Sequence, residues 1–88
     1  MRHARGEDLD RAEPLIARLR GFAALKEKSR GVFYLRSKAF LHFHADPTGL
    51  FADVRTGAGG GFERLKVDDE AGAGALIARV EAALESGD

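Results

Sequence analysis

Between Val32 and Val54 the chain reads VFYLRSKAFLHFHADPTGLFADV, and only Arg36-Ser37-Lys38 and Asp46-Pro47-Thr48-Gly49 interrupt its apolar, aromatic and β-branched residues. Such residues favour a pleated, half-buried backbone, and the interruptions carry the residue types that close hairpins. The pattern predicts three antiparallel strands, Val32 to Leu35, Lys38 to Ala45 and Leu50 to Arg55. Asp46, Pro47 and Gly49 provide the turn chemistry of the second hairpin.

Helical periodicity brackets this core. Leu9, Ala12, Leu15, Ile16 and Leu19 form one apolar stripe, with Asp8 or Asp10 as cap, Pro14 expected in the first turn and Gly21 as the stop. Leu76, Ile77, Val80 and Leu84 form a second stripe, capped by Asp68 or Asp69 and ending near Gly87, with a first turn loosened by Gly72 and Gly74. Lys26 to Gly31 reads as a basic polar connector. The loop Thr56 to Gly61 leads into a fourth strand, Phe62 to Val67, and its Gly57 to Gly61 run matches no phosphate-cradle motif. The expected fold class is therefore α+β: a four-stranded antiparallel sheet with an N-terminal and a C-terminal helix packed on one face, order αββββα. Residues 1 to 8 are expected to form a flexible tail and residues 9 to 88 a single domain.

At 88 residues a chain buries roughly 60 to 65 per cent of its unfolded surface, enough for one core. A content of 44% hydrophobic and 32% charged residues excludes a disordered chain, and no run is apolar enough to span a bilayer. Cysteine is absent, which removes disulfides, thiolate metal sites and cysteine nucleophiles. The start MRHARGEDLD has no apolar segment behind its basic residues, so the expectation is a cytoplasmic protein without a secretory signal. The formal charge is zero, yet residues 1 to 38 hold ten Lys and Arg against five Asp and Glu, and residues 39 to 88 hold four against nine.

Alternation sorts the strands into two faces. Val32, Tyr34, Ala39, Leu41, Phe43, Ala45, Leu50, Ala52 and Val54 form the side expected to receive the helices. Phe33, Leu35, Phe40, His42, His44, Phe51, Asp53 and Arg55 fall on the other. Two helices do not cover both sides of such a sheet, so Phe33, Leu35, Phe40, His42, His44 and Phe51 are candidates for an interface with a second copy or another protein. A non-enzymatic binding or self-association module is the leading expectation.

Two constellations point to other chemistry. If Ala45 pairs with Leu50, His42 sits opposite Asp53 and one residue pair from His44, which brings two imidazoles and a carboxylate together as candidate ligands for a divalent metal. No cofactor is otherwise implied. A His–Asp pair also suits a general base, but no nucleophile stands at a recognisable spacing, so no catalytic residue is assigned. Arg18, Arg20, Lys26, Lys28, Arg30, Arg36 and Lys38 form a candidate basic edge for nucleic acid. Against that edge stands a sequence pI near 6.8.

Leu19 to Phe43, LRGFAALKEKSRGVFYLRSKAFLHF, resembles the front part of MmcQ/YjbR-like proteins, in which a helix ends at a glycine and a connector enters a VFxVxGKxFA-like hairpin. Here the hairpin is VFYLRSKAFL, with Arg36-Ser37 in place of the glycine pair expected at the turn. The resemblance covers about a quarter of the chain. It implies a compact α+β fold and a DNA-binding role, and it carries no catalytic residues.

Overall fold

The computed structural model describes residues 2–56 and 61–85. The elements run β1 (Arg2–His3), α1 (Gly6–Arg20), β2 (Leu25–Ser29), β3 (Val32–Leu35), β4 (Lys38–Asp46), β5 (Gly49–Arg55), β6 (Phe62–Lys66) and α2 (Glu70–Glu85). The protein is α+β, with an antiparallel sheet and two helices. Its sheet is larger than the expected four strands: β2 to β6 follow one another as a five-stranded meander, and β1 pairs with β4 outside that path. The additional meander strand, β2, occupies much of the segment read as a connector.

Local sequence explains why β2 escapes a pattern search. Lys26, Glu27, Lys28 and Ser29 are polar, as suits an edge strand, and the strand is held by its backbone ladder with β3 and by contacts from α1. Arg20 donates to Glu27 at 2.7 Å through Nε. The backbone amide of Gly31, in a left-handed conformation at the β2–β3 turn, donates to the same carboxylate at 3.1 Å.

The start of the chain also differs from expectation. Helix α1 begins at Gly6, where Asp8 Oδ2 accepts the Arg5 amide at 2.9 Å, so Asp8 sits inside the first turn rather than ahead of it. Pro14 consequently lies in the helix interior, where it cannot donate to the carbonyl four residues back. Arg2 and His3 pair with Ala45 and His44, placing part of the expected tail in the sheet. Asp69 caps α2 by accepting the Gly72 amide at 2.8 Å. The expected end near Gly87 and most of the glycine run, residues 57–60, lie outside the described residues.

Both helices share one core with the sheet. Ala12, Leu15, Ile16 and Leu19 of α1 and Ala73, Leu76 and Val80 of α2 belong to the same buried cluster as Leu41, Phe43, Leu50, Ala52 and Val54. From Leu41 onward, the predicted inward set of β4 and β5 is therefore the observed one. β3 departs from it. Leu35 pairs with Lys38 and Tyr34 with Ala39, but Phe33 pairs with Leu41, so Phe40 is one residue too many on β4. This bulge resets the face of β3 relative to β4. Phe33 and Phe40, expected on the outer side, are core residues 1% and 3% exposed.

Candidate functional site

The β4–β5 hairpin has the register that its turn chemistry implies. Ala45 pairs with Leu50, and as a result His42 pairs with Asp53 and His44 with Phe51. Asp46 stabilises the turn by accepting the amide and the hydroxyl of Thr48 at 2.8 and 2.6 Å. At the far side of Gly49, Asp68 accepts the Leu50 amide at 2.6 Å. Because Leu41, Phe43, Ala52 and Val54 face the helices, alternation turns His42, His44, Phe51, Asp53 and Arg55 to the opposite side.

On that side, His42 Nδ1 and His44 Nε2 are 2.8 Å apart, one ring donating and the other accepting. His44 Nε2 also lies 3.2 Å from Asp53 Oδ2. Asp53 in turn accepts two bonds from Arg64 of β6, from Nε at 2.7 Å and Nη2 at 2.8 Å. Arg64 is the Cα partner of Asp53 on the strand edge away from His42. The hydrogen bonds from Arg64 hold the Asp53 carboxyl below the ordinary carboxylate range, prevailing over burial, which acts the other way. Asp53 is thus an anion facing two imidazoles and clamped from behind.

Phe62 closes one flank. Its ring meets His42 edge-on with centroids 5.2 Å apart, and the Arg55 guanidinium lies 4.6 Å from its centroid. Phe62 is 42% exposed, the exposed large apolar side chain among the described residues. Arg55 also donates to the Ala39 carbonyl at 2.8 Å.

Of the six interface candidates, His42, His44 and Phe51 share the outer side, partly buried, whereas Phe33 and Phe40 are in the core and Leu35 packs against it. The three metal candidates converge, with one ligand atom from each of His42, His44 and Asp53 lying within 4.8 Å of the others. The seven residues of the basic edge come from α1, β2, β4 and the turns that follow β2 and β3. Arg18 pairs with Glu70, Arg20 with Glu13 and Glu27, and Arg30 with Asp10 and Glu13. Arg36 lies in the β3–β4 turn, while Lys38 opens β4.

Sequence reasoning passed over Arg64 and Phe62 as site residues. Alternation alone groups Phe62, Arg64 and Lys66 on one face of β6, but it cannot say which face, because the register across the glycine-rich loop is fixed only by pairing with β5. No family model matches the chain, and comparison with curated proteins and with solved structures likewise gave no match. No described helix is long and apolar enough to cross a membrane.

Proposed function

We propose that this protein binds a divalent transition-metal ion through His42, His44 and Asp53. The observation that carries the reading is the spacing of the donor atoms, 2.8 Å between His42 Nδ1 and His44 Nε2 and 3.2 Å from His44 Nε2 to Asp53 Oδ2. Metal–nitrogen and metal–oxygen bonds of about 2.0 to 2.2 Å place neighbouring ligand atoms roughly 3 Å apart. Two imidazoles with one carboxylate suit zinc, iron, cobalt or nickel better than magnesium or calcium.

Each surrounding residue has a part in this reading. An ionised carboxylate offers about four lone-pair positions on its two oxygens, so Asp53 can keep Arg64 while giving one position to a metal. Arg64 then fixes the orientation of the carboxylate, as outer partners of metal ligands do. Binding requires the proton between the two rings to move off the ligating nitrogen, and protonation of either imidazole competes with the metal, so affinity falls with acid. Three protein ligands leave at least one position for water or an exogenous ligand, the coordination of an open site rather than a closed structural one.

The test is calorimetric titration of untagged, chelator-treated protein with Zn²⁺ or Co²⁺ in a His3→Ala background, which removes the remaining histidine. The expected result is one ion per chain, with affinity lowered at least tenfold by His42→Ala, His44→Ala or Asp53→Asn. Absence of stoichiometric uptake, or uptake indifferent to all three substitutions, overturns the proposal.

A further inference from the structure

The open face of the sheet carries a pattern that the metal reading does not use. Register places Lys26 beside Tyr34 and Phe51 beside Lys66, while Lys28 lies with its Nζ 5.5 Å from the Tyr34 ring centroid. Arg55 stands over Phe62 at the other flank. Aromatic rings paired with cations thus bracket the His42–Asp53 centre, one on β3 and one on β6, three strand spacings or roughly 14 Å apart.

The charges of the two sides are distributed differently. On the helix side cations meet carboxylates: Arg18 with Glu70, Arg20 with Glu27, Arg30 with Asp10 and Arg79 with Glu63. On the open side Lys26, Lys28, Arg55, Arg64 and Lys66 face fewer acids. Among the described residues these are Asp53, held by Arg64, Asp46, engaged by Thr48, and Asp68, 3.8 Å from Lys66 at the rim. A chain of zero formal charge therefore presents a face with a positive excess. Overall pI does not reveal such a face.

We infer that this face binds single-stranded nucleic acid, with Phe62 and Tyr34 stacking on bases and the flanking lysines and arginines meeting phosphates. Stacking platforms within a positive surface are the shared chemistry of sequence-tolerant single-strand binders. A five-stranded sheet roughly 20 Å across is too broad for a duplex major groove about 12 Å wide, which favours an unpaired strand laid over the face. The inference is independent of metal binding and needs no ion.

Fluorescence anisotropy with a labelled mixed-sequence twelve-nucleotide DNA strand, in chelator and at low salt, tests it. The expected result is micromolar affinity that weakens with salt by a log–log slope of about −0.7 for each phosphate contacted. Phe62→Ala should weaken binding about tenfold, and Lys26→Ala with Lys66→Ala should lower the salt slope. Arg79→Ala on the helix side should change neither. The inference is overturned by no binding at low salt, by equal affinity for the duplex or for dextran sulfate, or by affinity indifferent to Phe62→Ala.

Discussion

Phe33 is the Cα partner of Leu41, although its neighbour Tyr34 pairs with Ala39. The single extra residue on β4, Phe40, turns Phe33 from the outer side into the core, where it is 1% exposed. Phe33→Ala is therefore expected to cost about 3 to 5 kcal/mol. Phe62→Ala, on the open side, should cost less than about 1 kcal/mol. Urea unfolding of the two variants decides the matter, and equal losses would contradict the observed register.

The two glycines near the start of α2 should respond in opposite ways. A Cβ on Gly72 would collide with the Lys66 carbonyl oxygen, whereas nothing lies within 4 Å of one on Gly74. Gly72→Ala is expected to lose about 2 kcal/mol or more through the backbone shift it forces. Gly74→Ala should gain about 0.5 to 1 kcal/mol, because alanine lowers the entropy lost in an exposed helix. Thermal unfolding of both variants checks the pair.

The β3–β4 turn uses Arg36 and Ser37 at φ of 52° and 70°, conformations in which a side chain crowds its own backbone. Replacing Ser37 by Gly should stabilise the domain by about 1 kcal/mol without altering the sheet, since two-residue hairpins of this hand favour glycine there. Chemical denaturation together with an unchanged amide spectrum away from the turn would bear this out. A loss of stability would not.

Acid should loosen the α1–β2 contact before the core yields. Hydrogen bonds from Arg20, and secondarily the Gly31 amide, hold the Glu27 carboxyl below its ordinary range despite some burial. A carboxyl that is more acidic in the folded state than in the unfolded one stabilises the fold above its unfolded pKa. That contribution disappears as pH falls from the ordinary carboxylate range through the lowered folded value. Glu27→Gln should accordingly show a shallower loss of stability across that interval than the natural chain. Parallel pH profiles of the unfolding midpoint test this.

The extent to which the site was legible in the sequence follows from how local its causes are. Asp46 to Gly49 close a hairpin, strict alternation runs along β5 and along β4 from Leu41, and these local features by themselves place His42 opposite Asp53. The helix stripes of Ile16, Leu19, Leu76 and Val80 are equally local, since a repeat near 3.6 residues already marks a buried face.

Phe33, Leu25 to Ser29 and Arg64 owe their places to distant partners. A bulge is an event between two strands, so Phe40 reveals itself as surplus only when β3 is laid against β4. An edge strand as polar as β2 has no alternating signature and is held by Arg20 from a helix earlier in the chain. Arg64 reaches Asp53 only because β6 pairs with β5 in one of two side-chain phases. Short-range residue preferences determined the hairpin, the helices and the His–Asp pair. Long-range pairing decided the core position of Phe33, the fifth meander strand and the arginine behind the carboxylate, because strand registry is set by partners that the linear pattern does not specify.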